Sequence, residues 1–97
     1  MEKPENQSPW VWVFVQDPGG NEQFLGQHYP EDDVSFIPAF HEKEDALLCL
    51  NSLKRDQGLK YQPQAIRLNH LTGSAAANGF MIFILDGSGR ILEKITP

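Results

Sequence analysis

Phe36-Ile37-Pro38-Ala39-Phe40-His41-Glu42-Lys43-Glu44-Asp45-Ala46-Leu47 reads as a short apolar strand that passes at once into an amphipathic helix. Val34 to Phe40 has strand composition, and Pro38 constrains its place. Proline brings no ladder donor, so the strand lies at a sheet edge or breaks its pairing there. His41 stands at the N-cap position, with Glu44 three residues later where a capping glutamate reaches back. Glu42, Glu44 and Asp45 set negative charge against the positive end of the helix dipole. Ala46, Leu47, Leu50 and Leu53 recur at helical spacing and are expected to face the core. Gly58 supplies a left-handed stop for this long helix.

Downstream, Gln64-Ala65-Ile66-Arg67-Leu68 follows Pro63 as a strand, and a short helix is expected over about residues 69–77. Gly73 weakens that helix by about 1 kcal/mol, and Asn78-Gly79 ends it. Phe80 to Leu85 and Arg90 to Ile95 form a hairpin around the Asp86-Gly87-Ser88-Gly89 turn. Upstream, Trp10-Val11-Trp12-Val13-Phe14-Val15 is a strand rich in aromatic and β-branched residues. It runs into the turn Asp17-Pro18-Gly19-Gly20, and Gln23 to Gly26 returns as a partner strand. Gln27 to Asp33 reads as a polar loop whose acids Glu31, Asp32 and Asp33 are solvated. The expected order is β-β-β-α-β-α-β-β, an α+β fold with one mostly antiparallel sheet of five or six strands, one long helix and one short helix. Residues 10–97 make a single α+β domain, and residues 1–9 read as a disordered tail.

Composition sets the function classes. Eight basic residues against thirteen acidic ones give a net charge of −5, which opposes binding to phosphate backbones, so nucleic acid is not an expected partner. A lone cysteine, Cys49, permits no intrachain disulfide. No signal segment opens the chain and no run approaches a membrane span, so a cytoplasmic location with no membrane contact is the expectation.

Residue type and spacing offer little to catalysis or metal binding. The Asp86 turn lacks the later oxygen ligands and glycine of a calcium loop. Neither glycine-rich stretch precedes a helix with the lysine that grips phosphate. His28, His41 and His70 are dispersed, with no ligand spacing around them. Cys49, between Leu48 and Leu50, reads as a buried small hydrophobe and not as a nucleophile. No catalytic residue, cofactor or metal is therefore assigned.

One oddity survives. Trp10, Trp12 and Phe14 point to one side of their strand and Val11, Val13 and Val15 to the other. Phe80 to Leu85 is equally apolar on both sides, and such strands belong to sheets covered on both faces. Left in water, the three aromatics would expose roughly 450–750 Å², more than soluble monomers usually show. Either the two helices straddle the sheet, one per face, or a second chain or partner covers the Trp10, Trp12 and Phe14 face. A ligand groove is the remaining arrangement.

The Phe36-Ile37-Pro38-Ala39-Phe40 strand, the Glu44-Asp45-Ala46 helix start, the Gly79-Phe80 strand and the Asp86-Gly87 turn together resemble the SseB-like domain over residues 34–92. That resemblance implies a small α+β domain of poorly defined role and carries over no catalytic residue. Two functions follow as expectations. The first is a protein–protein interaction or homodimerising module working through Trp10, Trp12 and Phe14. The second is a small-molecule binding or enzymatic domain with its site at His41, Glu44, His70 and Asp86. A third reading, RNA stacking on the aromatic strand, fits the rings but not the charge.

Overall fold

The computed structural model describes residues 8–20 and 23–97. Seven strands and two helices follow in order: β1 (Trp10–Gln16), β2 (Gln23–Phe24), β3 (Gln27–Tyr29), β4 (Val34–Ala39), α1 (Lys43–Cys49), β5 (Tyr61–Arg67), α2 (Leu68–Asn78), β6 (Met81–Leu85) and β7 (Ile91–Ile95). The α+β class holds, but the single sheet does not. One sheet has the order β2-β1-β5 and the other β3-β4-β6-β7, with β4 and β6 parallel and the remaining pairs antiparallel.

The division has a local cause. One edge of β1 is fully taken by β5, while its other edge is shared between two short partners. Val15 and Gln16 pair with β2, and Trp12 forms a lone antiparallel bridge with Phe40 at the end of β4. That bridge consists of two hydrogen bonds, Trp12 N–H to Phe40 O at 2.7 Å and Phe40 N–H to Trp12 O at 2.9 Å. A single bridge cannot extend into a ladder here because Pro38, two residues earlier on the same hydrogen-bonding side, has no N–H to give. β4 is an inner strand and not an edge: on one side its pairing with β3 ends at Phe36, before Pro38, while on the other Pro38 stays in register with Phe83 of β6.

The helices straddle this joined sheet. Val11, Val13, Ile37, Ala39, Ile82 and Ile84 form one core with Leu71 and Ala75 of α2. Phe14, Phe36, Phe40, Phe83 and Leu85 form the other with Ala46 and Cys49 of α1. Alternation along β1, β4 and β6 sends successive side chains into these two cores, which is why those strands are apolar on both sides. In the second core, Phe36 and Phe83 stack with centroids 4.2 Å apart, and Phe14 meets Phe40 edge to face at 6.2 Å.

Several local expectations change. The first helix is the shorter of the two: α1 ends at Cys49 and continues only as a 3-10 turn, Leu50–Ser52. Gln27 explains the early stop, since its side chain accepts from Lys54 N–H at 2.9 Å and donates to Lys54 O at 2.7 Å, holding the chain extended there. Gly58 is accordingly no helix cap and sits in a turn whose N–H donates to Asp56 Oδ1. Glu42, not His41, occupies the N-cap, and no side chain closes a capping box. Gln27–Tyr29 is a strand where a loop was expected, too short and polar to show periodicity, held by Tyr29 packing edge to face on Phe83. β5 begins at Tyr61 and includes Pro63, which an edge strand tolerates.

At α2 the outcome is close to expectation. Gly79 adopts φ 75° and the Phe80 N–H returns to Ala75 O at 2.9 Å, a glycine cap of the left-handed kind. The start of α2 is held from a distance. Ser8 Oγ accepts from Asn69 N–H at 3.0 Å, Pro9 O from Leu68 N–H at 2.8 Å, and Ser8 O from Arg67 Nη1 at 2.7 Å. Ser8 and Pro9 therefore belong to the folded domain. The rest of the expected tail, residues 1–7, lies outside the described residues.

Candidate functional site

Along β1 the aromatic row passes from core to solvent. Phe14 is 1% exposed beneath α1, so it contributes nothing to a surface. Trp12 is half-buried, with the Lys43 ammonium 5.5 Å from its ring. Trp10 is 53% exposed, and the Arg67 guanidinium from the facing position of β5 lies 4.2 Å from its ring centroid. Cations over indole faces are attracted by the ring quadrupole, which lets both tryptophans stand at the surface. The structure thus separates the three residues that the sequence grouped. Only Trp10 and the rim of Trp12 remain available to a partner.

A second apolar feature was missed. Leu47 and Leu48 on α1 are 48% and 69% exposed, although Leu47 was expected inward. Ala46, Cys49, Leu50 and Leu53 supply the inward stripe instead. At 100° per residue, a run such as Leu47-Leu48-Cys49-Leu50 cannot direct every side chain inward, and that was the available signal. Lys43 and Leu47, one turn apart, share the side of α1 that adjoins Trp12. Leu48 lies on the side nearer the β6–β7 turn, where a Cβ added to Gly87 would come 3.1 Å from its Cδ1. Glu42 and Glu44 stand exposed before this leucine pair in the chain, and Lys54 and Arg55 stand exposed after it.

The alternative site is not drawn together. His41 and Glu44 are exposed at the start of α1, and His70 is exposed on α2, across the sheet. Asp86 is committed to its turn: Oδ1 accepts from Ser88 N–H at 2.9 Å, Ser88 Oγ–H at 2.8 Å and Arg90 N–H at 2.9 Å. Those hydrogen bonds, that of the Ser88 hydroxyl foremost, hold the Asp86 carboxyl below its ordinary pKa. Among the described residues no hydrogen bond or ion pair joins any two of the four, and no group of three or more His, Cys, Asp or Glu is placed to hold a metal. Two clefts open elsewhere, and none of the four lines either of them.

The remaining polar chemistry fastens elements together. Tyr29 donates to Glu31 at 2.8 Å, Lys94 reaches Asp32 at 3.1 Å, and His28 lies 3.0 Å from Asp33. The hydrogen bond to Glu31 raises the Tyr29 pKa, and the bond to Asp32 raises that of Lys94. The acids of the β3–β4 turn are thus paired, not merely solvated. Cys49 is buried, and burial first, then the Asp86 charge, pushes its thiol pKa up, which disfavours the nucleophilic thiolate.

Among the described residues no helix is long and apolar enough to cross a membrane. Compared with family models, with curated proteins and with solved structures, this chain matches none.

Proposed function

We propose that the chain is a homodimerising interaction module whose contact surface is the outer side of α1, with Leu47 and Leu48 at its centre. The observation that carries this reading is the exposure of two adjacent leucines between charges of opposite sign: Glu42 and Glu44 on one side, with the intervening Lys43 drawn over the Trp12 ring, and Lys54 and Arg55 on the other. An arrangement of minus, apolar, plus is complementary to its own copy turned by a two-fold axis, so the occupant that fits is a second copy of this chain. The free edges do not favour strand-to-strand pairing instead. β5 carries Pro63, and β7 is bulged opposite Leu85 and bears Glu93 and Lys94.

Scaled by their exposure, the two leucines offer about 2–3.5 kcal/mol per protomer at ~1.5–3 kcal/mol for a fully buried leucine. Two protomers together reach only the lower part of the roughly 4–15 kcal/mol lost on association. The flanking charges and the Trp10 ring supply the remainder, which makes the dimer weak and salt-sensitive. The resemblance of residues 34–92 to the SseB-like domain adds no ligand or reaction to this reading.

Sedimentation equilibrium over micromolar to near-millimolar protein tests it. Dimer should form at low salt, and Leu48→Glu should abolish it. Glu44→Lys and Lys54→Glu should each weaken association, and the two combined should restore it. A chain that stays monomeric at the highest concentration, or a double variant without recovery, overturns the reading.

A further inference from the structure

Across the sheet from α1, α2 covers its face incompletely. Over its second half α2 carries Gly73, Ser74, Ala75, Ala76 and Ala77, of which Ala75 alone is buried. Side chains this short do not reach across to the β1, β2 and β5 sheet, and a cleft of about 510 Å³ opens between them. Val15, Phe24 and Ile37 provide apolar surface, with Phe80 beside them. Phe80 is held close to the backbone of the segment joining β2 and β3, where a Cβ added to Gly26 would come 2.6 Å from the ring. Only glycine permits that approach, so the position of the ring depends on it.

The polar lining is as particular as the apolar one. It consists of the carboxamides of Gln23, Gln64 and Asn78 and the hydroxyl of Ser74, with no ionisable side chain. Asn78 Nδ2 donates to Ser74 O at 2.9 Å, while no hydrogen bond among the described residues engages the side chains of Gln23, Gln64 or Ser74. Carboxamides present a donor and an acceptor side by side, the complement of an amide or lactam edge. A charged ligand would lose its strong ionic hydration here without meeting a counter-charge, whereas the smaller desolvation cost of an uncharged amide can be offset by hydrogen bonds to the carboxamides. The volume falls within the roughly 300–1,000 Å³ typical of small-molecule clefts.

We propose that this cleft binds an uncharged, planar small molecule that carries an amide-type donor and acceptor, its ring against Phe24 and Phe80 and its polar edge toward Gln23, Gln64 and Ser74. The site is independent of the α1 surface, because it lies on the opposite face of the sheet.

Titration of the isotope-labelled 97-residue chain with benzamide, followed by amide NMR, tests it, with benzoate as the charged counterpart of equal shape. Benzamide should give saturable shifts at Val15, Phe24 and Ser74 and at the side-chain amides of Gln23 and Gln64. Benzoate should bind at least about tenfold more weakly. Ser74→Leu fills the cleft, and Gln64→Glu, on an exposed strand position that should not disturb folding, places a charge in it. Each should weaken benzamide binding by about tenfold or more, while Leu48→Glu on α1 should leave it unchanged. Absence of shifts at the lining with ~10 mM benzamide, equal binding of benzoate, or full binding by both cleft variants overturns the proposal.

Discussion

Leu71→Ala measures directly how one face of the sheet is covered. Leu71 is 0% exposed and is the largest fully buried side chain that α2 contributes, since Ala75 is the helix's other buried residue. The substitution removes three carbons, about 2.4 kcal/mol at ~0.8 kcal/mol for each buried methylene. The cavity left behind adds to this, by about 24 cal/mol for each Å³ that fails to collapse. Collapse is restricted because α2 is pinned at both ends, by Ser8 and Pro9 at its start and by the Gly79 cap at its finish. A total of about 4 kcal/mol follows, inside the usual range for buried leucine. For a domain of this size it corresponds to a fall in Tm of roughly 16–32 °C. Urea unfolding with the slope compared between variants supplies the free energy. Leu47→Ala, at a position 48% exposed, should cost less than about 1 kcal/mol in the monomer. If Leu71→Ala costs under about 1 kcal/mol, or less than Leu47→Ala, α2 does not cover that face and the two-core description fails.

Three further outcomes follow from the geometry. The Asp86 carboxyl has a lowered pKa, so it adds stability above the ordinary carboxylate value near ~4, and that stability is lost as pH falls through the lower folded value. Melting temperature followed between about pH 6 and pH 2 should drop more steeply for the native chain than for Asp86→Asn. Cys49, buried and raised in pKa, should resist iodoacetamide in the folded chain and react once it is unfolded in urea; rapid alkylation of the native protein would contradict its placement. Ser8→Ala removes the side-chain acceptor for Asn69 N–H and should cost about 0.5–2 kcal/mol in chemical denaturation, a loss absent if residues 8 and 9 belong to a free tail.

How much was legible in the residues differs between elements. The β6–β7 hairpin was readable because apolar alternation and an Asp-Gly-Ser-Gly turn agree, and the ladder from Ile82 to Leu85 bears it out. The end of α2 was readable because Gly79 adopts the positive φ that Asn78-Gly79 advertises. α1 was misjudged because its end is set by Gln27, a residue 27 positions from Lys54, and no local propensity records that bond. β3 escaped notice for the same kind of reason, since three polar-to-aromatic residues become a strand only when Tyr29 finds Phe36 and Phe83. The two expected sites fared alike: Trp10, Trp12 and Phe14 share one side of a strand, yet burial divides them, and His41, Glu44, His70 and Asp86 are left apart. The cleft beside α2 was not foreseen at all. Its signal was the run of small residues from Gly73 to Ala77, whose shortness matters only once a helix lies over a sheet.

Local chemistry by itself determined the α+β class, the strand-to-helix junction at Phe40, the turns, and the fact that β1 and β6 must be covered on both sides. Those properties depend on side-chain period and backbone preference within a few residues, which any chain segment carries with it. Tertiary structure alone decided what does the covering. α1 took one face and α2 the other, a single bridge between Trp12 and Phe40 joined two sheets, and Leu47 and Leu48 were left in solvent. The physical reason is that burial is a property of pairs of surfaces. A residue's hydrophobicity says that it gains from being covered, but only the arrangement of the whole chain says whether anything is there to cover it.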